Sequence, residues 1–132
     1  MLQITRQTEY AIRGLQELAR RQDETPVQLK VIAGSCEVSE AFLAKIFQML
    51  AQAGIVKSHR GVKGGFSMGR DPKDITLREI VEVSEGGIVL NHCLRKVDPC
   101  RDADTCAVAE VWKEAQGALT GALDRTSLAD VI

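Results

Sequence analysis

Three cysteines share one short polar stretch of the 132-residue chain. Cys93, Cys100 and Cys106 are spaced C-x6-C-x5-C, which is wider than the C-x2-C pairs of structural zinc sites. Three thiolates leave a four-coordinate metal one ligand short, and this suits a labile iron–sulfur cluster better than a closed zinc site. Free thiols in a loop are the alternative. We predict a metal site here, with the cluster as its occupant.

The N-terminal residues and the overall hydropathy indicate the cellular compartment. Residues 1–10 lack the apolar core of a secretory signal, and no stretch approaches the roughly 18 apolar residues of a membrane span. We therefore expect a cytoplasmic protein with reduced thiols and no membrane partner. Cys36, far from the cysteine loop along the chain, is expected to be a small buried apolar residue.

Charge is distributed unevenly along the chain. Residues 1–70 contain 10 Lys/Arg and 6 Asp/Glu, a net charge of +4, whereas residues 71–132 contain 7 and 12, a net charge of -5. The two halves sum to the overall -1. Between residues 55 and 70 there are four cations and no acid, namely Lys57, Arg60, Lys63 and Arg70. Such a basic island indicates contact with nucleic acid, and a solvated loop is the alternative.

Helix signals dominate the first half of the chain. A first helix is predicted from its N-cap Thr5 to about Arg21, and a short second helix ends at Gly34. A third begins at the N-cap Ser39 and stops at Gly54. The residues expected to face the core are Ile4, Ala11, Leu15 and Leu18 from the first helix, and Phe42, Leu43, Ile46, Phe47 and Leu50 from the third.

A hairpin and two further helices are predicted in the rest of the chain. The glycine-rich stretch 55–70 is typical of a β-hairpin. A fourth helix begins at Thr76, which forms a capping box with Glu79, and ends near Gly86. A last helix carries one apolar stripe, with a short turn after it, and we expect this stripe to form a dimer interface; folding back on the head is the alternative. The stripe residues are Val108, Val111, Trp112, Ala115, Leu119 and Ala122.

These elements predict a mainly α fold: a winged helix-turn-helix head over 1–87, a cysteine-rich cluster-binding loop over 88–106, and a dimerisation helix with a C-terminal turn over 107–132. The third helix has small and polar residues on its outer face, as a helix that enters the major groove of double-stranded DNA requires. The wing cations suit phosphates or the minor groove. The candidate DNA-binding residues are Ser39, Ala41, Lys45, Gln48, Arg60, Lys63 and Gly64.

Several stretches resemble the NsrR/IscR-type family of winged-helix iron–sulfur transcriptional regulators. They include Thr8–Arg13, the wing Arg60–Phe66 (RGVKGGF) and the three loop cysteines. The resemblance implies a homodimer whose cluster, two-iron or four-iron, lies between the cysteine loop of one subunit and helix 1 of the other. Where IscR-like proteins have a ligating His this chain has Ala109, and Glu9 matches the carboxylate ligand of NsrR-like proteins.

The predicted function is therefore a DNA-binding repressor that senses nitric oxide, redox state or iron–sulfur status. Its metal ligands would be the three loop cysteines and Glu9, with His92 as a competing ligand. One alternative is a regulator of the same fold that works without a cluster, through thiols, a small ligand or a protein partner. Another is an electron-transfer or cluster-carrier protein. An enzyme is not expected, because no acid–base pair, activated nucleophile or phosphate loop is present.

Overall fold

The computed structural model describes residues 3–132 and confirms a mainly α fold with a two-stranded wing. The helices are α1 (Arg6–Arg20), α2 (Leu29–Ser35), α3 (Glu40–Gln52), α4 (Leu77–Glu85) and α5 (Ala107–Asp124). The strands are β1 (Val56–His59) and β2 (Gly65–Met68). Four short 3-10 turns lie at Gln22–Glu24, Pro72–Asp74, His92–Leu94 and Leu128–Val131.

The core lies between α1, α2, α3 and α4. Every predicted core residue of α1 except Ile4 is buried, as are Leu43, Ile46, Phe47 and Leu50 of α3. Ile4 is 51% exposed, so that prediction was wrong. The reason is local: Ile4 precedes the N-cap Thr5, where the backbone is extended, and it therefore lies off the helical face that α1 buries.

Side-chain caps start the main helices where the sequence predicts. The hydroxyls of Thr5, Ser39 and Thr76 each accept a hydrogen bond from the backbone N–H three residues later. The expected capping box at Thr76 is only half formed, because the Glu79 carboxylate pairs with the Arg70 guanidinium instead. Helix α2 ends at Ser35, one residue beyond the predicted end.

The wing is tied to the head at two points. The backbone of Val27 exchanges two hydrogen bonds with that of Phe66 in β2, at 2.9 Å and 2.8 Å. The rings of Phe47 and Phe66 pack edge to face with centroids 5.0 Å apart. Because Phe47 belongs to α3, the wing and the third helix are anchored to each other through the core.

The C-terminal segment divides between the head and solvent. Helix α5 contacts α4 and the His92–Leu94 turn, yet its predicted apolar stripe is exposed, with Val111 at 56% and Trp112 at 38%. After α5 the chain returns to the head, where Leu128 is fully buried and its N–H donates to the Ile75 carbonyl at 2.8 Å. Across the described residues, no helix is long and apolar enough to cross a membrane.

Candidate DNA-binding surface and cysteine loop

Helix α3 presents a polar face to solvent beside the wing. Ser39, Ala41, Lys45 and Gln48 are all exposed, while the opposite side of the helix is buried. The Ser39 hydroxyl accepts from the Phe42 N–H at 3.2 Å. Within residues 3–132, Lys45 and Gln48 make no ion pair or side-chain hydrogen bond, so both side chains remain available to a ligand. The small side chain of Ala41 would let another molecule come close to the helix backbone. Lys45 and Gln48, further along the helix, have longer side chains that extend away from it.

A tight turn forms the tip of the wing. The Gly64 N–H donates to the Gly61 carbonyl at 2.9 Å, so Val62 and Lys63 occupy the two central positions. A side chain at position 64 would collide with the backbone carbonyls of His59 and Gly61, which explains the glycine there. Arg60 and Lys63 are exposed and unpaired within the described chain. Gly64 therefore shapes the tip, and the two cations project from it.

The basic island contains fewer free charges than its composition indicates. Arg70 pairs with Glu79 at the base of the wing, which leaves Lys57, Arg60 and Lys63 as the cations of the island without an ion pair among residues 3–132. Val62, which was not among the predicted DNA-binding residues, is 98% exposed at the tip. A β-branched apolar residue at a turn position is the signal that would have singled it out, because turns favour Gly, Asn, Asp and Pro.

The loop cysteines are free thiols at the edge of the head. Cys93 lies in the His92–Leu94 turn and is half-buried, whereas Cys100 and Cys106 are exposed, the latter as the N-cap of α5. Among residues 3–132, no three His, Cys, Asp or Glu side chains are close enough to hold a metal ion. The donor types fit an iron–sulfur cluster, but the described part of a single chain does not bring three of them together.

The backbone of the cysteine loop is fixed mainly by its own short turns. The Ala103 N–H donates to the Cys100 carbonyl and the Thr105 N–H to the Asp102 carbonyl, both at 3.1 Å. Asp98 adopts a left-handed conformation with φ 51. These hydrogen bonds join residues of the loop to one another.

The two other candidate ligands lie on the surface. The Glu9 carboxylate, on α1, forms an ion pair with the Arg13 guanidinium at 2.7 Å, and both side chains are about half exposed, at 49% and 53%. Arg13 in turn lies over the Tyr10 ring, 5.7 Å from its centroid. His92 is exposed at the start of its turn, where its N–H donates to the Asn91 side chain at 2.8 Å.

Cys36 is separate from this loop in space as well as in sequence. It is 8% exposed in the core cluster, as expected for a small apolar residue. Burial raises the pKa of its thiol, and the nearby Glu17 carboxylate raises it further. Cys36 is therefore a poor thiolate donor.

The fold and this surface define a winged-helix transcriptional regulator. The Rrf2 family profile, described as iron-dependent transcriptional regulator, matches residues 4–132. The chain belongs to the Rrf2 family. This membership confirms the predicted regulator class and the absence of an enzymatic role, and it does not support the electron-transfer alternative.

Relatives with different names share this fold. The chain is 33% identical to the HTH-type transcriptional regulator CymR of Bacillus subtilis over 130 residues, covering 98% of this chain and 89% of CymR. It is 26% identical to the regulator IscR of Photorhabdus laumondii over 131 residues, covering 99% and 79%.

Two solved structures extend the similarity to three dimensions. The structure of B. subtilis CymR, described as the global cysteine regulator, has a TM-score of 0.79 and 34% identity, covering 99% of this chain and 96% of that chain. The T. potens IscR structure has a TM-score of 0.77 and 31% identity, covering 98% and 85%. The fold is therefore common to this chain, CymR and IscR.

Proposed function

We propose that this regulator is a homodimeric repressor that binds operator DNA through α3 and the wing and senses nitric oxide, redox or iron–sulfur status through a cluster. The DNA-binding part rests on two exposed polar surfaces, Lys45 and Gln48 on α3 and Arg60 and Lys63 on the wing, whose side chains have no partner among residues 3–132. The Phe47–Phe66 contact holds both surfaces in one orientation.

The proposal gives the two surfaces different roles. The side chains of Lys45 and Gln48 are long enough to reach base edges when α3 lies in the major groove. In this proposal the wing tip would lie beside that groove, where Arg60 and Lys63 would neutralise phosphates or enter the minor groove. Ser39 lies at the start of α3, where backbone N–H groups favour a phosphate.

The three loop thiols are the cluster ligands in this proposal. Cys93, Cys100 and Cys106 are all free and lie in one loop, and Glu9 of the partner subunit would supply the fourth ligand. A bound cluster would supply a redox- and nitric-oxide-reactive centre whose oxygen ligand is its weakest. Assembly would draw the thiols together, since residues 3–132 alone do not bring three ligands close enough to share a metal ion.

The Glu9 carboxylate has a second partner that links it to the DNA-reading helix. In the chain alone it pairs with Arg13, which lies over Tyr10. The Tyr10 ring packs against Phe42 of α3. Recruitment of Glu9 as a ligand would release Arg13 from its ion pair, and loss of the ligand would restore that pair. This exchange gives cluster state a physical route to α3.

A second candidate function is a regulator of the same fold that senses thiol chemistry, a small ligand or a protein partner without a cluster. Two observations favour it: residues 3–132 gather no set of three metal ligands, and the CymR structure to which the chain is similar is described as the global cysteine regulator. Both candidates use the same DNA-binding surface, so they differ only in the signal.

Anaerobic purification distinguishes the two candidates. A cluster predicts a coloured protein with ligand-to-iron absorption bands and stoichiometric iron and sulfide, and these bands should disappear on addition of nitric oxide. Cys93→Ala, Cys100→Ala and Cys106→Ala should each lose the iron, whereas Cys36→Ala, the matched control in the core, should keep it. Colourless wild-type protein with full DNA-binding activity would favour regulation without a cluster.

A mixed dimer tests whether the fourth ligand comes from the partner subunit. A Glu9→Ala subunit combined with a Cys93→Ala subunit would place both defects in one site and leave the other site intact. One wild-type-like cluster per heterodimer is expected. If the ligand instead came from the same subunit, both sites would be defective and no wild-type spectrum would remain.

A further inference from the structure

A large open cleft lies between α4, α5 and the first part of the cysteine loop. Its volume is about 1040 Å³, at the upper end of the range for small-molecule sites. The segment Leu94–Asp98 forms one wall, and residues of α4, the Gly86–Val89 segment after it and the middle of α5 form the others. None of the residues assigned above to DNA contact lines this cleft, so it is separate from the DNA-binding surface.

The cleft collects most of the positive charge in an acidic part of the chain. Residues 71–132 contain 7 cations and 12 acids, yet four of those cations and only two of those acids line the cleft. The cations are Arg78, Arg95, Lys96 and Lys113. Repulsion between these cations raises the free energy of the protein when the cleft is empty. A bound anion would reduce that repulsion.

Two of these cations have no ion-pair partner among residues 3–132. Arg78 pairs with Glu82 at 2.9 Å, and Lys113 pairs with Glu110 at 3.2 Å. Arg95 and Lys96 make no ion pair or side-chain hydrogen bond to any residue of 3–132. They lie side by side on the loop wall and are therefore the groups available to a bound anion.

The remaining walls limit the kind of anion. Ile88, Val89, Leu94 and Val97 give the cleft an apolar side, as sites for small organic molecules usually have. Glu82 and Asp98 reduce the net positive charge, and α4 ends here with the negative end of its dipole. This balance favours one or two negative charges on an apolar body over a polyanion such as DNA.

We propose that this cleft is an effector site for a small organic anion bearing a carboxylate or phosphate group, held by Arg95 and Lys96. The site deepens the proposed function, because its loop wall lies between Cys93 and Cys100 and an occupant would restrain the segment that presents both thiols. Binding itself requires neither a cluster nor DNA.

The test uses the full chain, free of cluster and DNA, titrated with the anionic apolar dye 1-anilinonaphthalene-8-sulfonate. The Arg95→Gln/Lys96→Gln variant should bind the dye at least about tenfold more weakly than wild type. The control Lys73→Gln/Arg101→Gln removes the same charge outside the cleft lining and should bind like wild type. Equal affinity for the two double variants would overturn the proposal.

NMR spectra of the backbone amides, recorded with and without the dye, show where it binds. Competition experiments then distinguish the kinds of anion that the cleft accepts. Shifts are expected at Gly86, Gly87 and Gly117, which line the cleft. Succinate and inorganic phosphate, added as competitors, separate a carboxylate site from a phosphate site; displacement by neither would contradict the proposal. Two other results would indicate that a second copy of the chain occupies the cleft, and either would overturn the proposal. The first is amide shifts confined to the exposed α5 stripe. The second is a changed dimerisation constant in Arg95→Gln/Lys96→Gln together with unchanged dye binding.

Failure of the cluster hypothesis would leave this result intact, because the dye assay contains no iron. Conversely, a cluster on the loop thiols with no dye in the cleft would remove only the effector site. The two proposals therefore stand on separate measurements.

Discussion

Tyr10 of α1 packs edge to face against Phe42 of α3, with ring centroids 5.9 Å apart and an interplanar angle of 87°. Aromatic pairs of this geometry contribute about 0.5–1.5 kcal/mol beyond the burial of their area. Phe42 is the residue whose N–H donates to the Ser39 cap. In the proposed mechanism, a change in the position of α1 would therefore reach the first turn of α3, the helix that we assign to the major groove.

The chain offers a matched pair of variants to test this route. Glu9→Ala should still permit a cluster on the three cysteines, but with an altered absorption spectrum and with DNA affinity that no longer follows cluster state. Arg13→Ala removes the same exposed ion pair and leaves the carboxylate, so its spectrum should resemble wild type. Such a pair contributes only about 0–1 kcal/mol to stability, and thermal unfolding should change little in either variant. Identical spectra for wild type and Glu9→Ala would exclude Glu9 as a ligand.

The wing and α3 should respond differently to truncation. Arg60→Ala should weaken binding to all duplexes and, if it removes one phosphate contact, reduce the salt dependence of log K by roughly one unit. Lys45→Ala should change the sequences selected from a random duplex library more than the overall affinity, because its side chain faces the groove. Anisotropy titrations at several salt concentrations check both. Wild-type behaviour in both variants would contradict the assigned surface.

Much of the head could be predicted from the sequence because local signals and burial agree there. The caps at Thr5, Ser39 and Thr76 each select a helix start, and the apolar spacing of α3 defines its buried side. The prediction from local sequence was incomplete where a side chain has a partner outside its own helix. The Glu79 carboxylate pairs with Arg70, nine residues earlier in the sequence at the end of the hairpin, and does not complete the capping box.

The cysteine loop is the part that local rules describe least. Its composition indicates the donor chemistry, but the spacing of three thiols does not determine where their side chains point. The fourth ligand is expected from another subunit, and neither one sequence nor one folded chain contains that geometry. The cleft could not be predicted from the sequence either, because Arg78, Arg95 and Lys113 belong to three different elements that come together only in the fold.

The exposed stripe on α5 should decide the oligomeric state. Leu119 is 39% exposed in the single chain, and we expect the partner subunit to cover it. Leu119→Glu would bury an unpaired charge in the dimer and should therefore shift the protein to monomer. The control Glu114→Lys alters charge on the same helix outside the predicted stripe and should remain dimeric. Light scattering after size exclusion measures both masses; a dimeric Leu119→Glu would exclude this stripe as the interface.

Glu85 should make the stability of the head depend on pH. The Thr8 hydroxyl donates to its carboxylate at 2.5 Å, and the hydroxyl and N–H of Thr5 donate at 2.7 Å and 3.2 Å. These bonds, chiefly the one from Thr8, lower the pKa of Glu85 below its usual 4.5. A lowered pKa in the folded state stabilises the protein above pH 4.5, and that contribution is lost as pH falls through the folded-state value.

The Glu85→Gln variant isolates this contribution. Wild type should be more stable than Glu85→Gln at about pH 6, and the difference should shrink towards about pH 3 as the wild-type carboxylate is protonated. Glu114→Gln, which removes a carboxylate that has no hydrogen bond or ion pair within the described chain, should show no such convergence. Denaturant unfolding across this range measures the effect. A constant difference at all pH values would contradict the assignment.

The most direct measurement compares the DNA affinity of one anaerobic sample before and after it reacts with nitric oxide. The duplex is one that the protein itself selects from a random library, and the binding isotherm is followed by anisotropy. We predict that loss of the cluster weakens binding at least about tenfold, roughly 1.4 kcal/mol, and that Cys93→Ala binds weakly from the start and does not respond. Equal affinity before and after nitric oxide, in protein shown to have contained the cluster, would contradict the account.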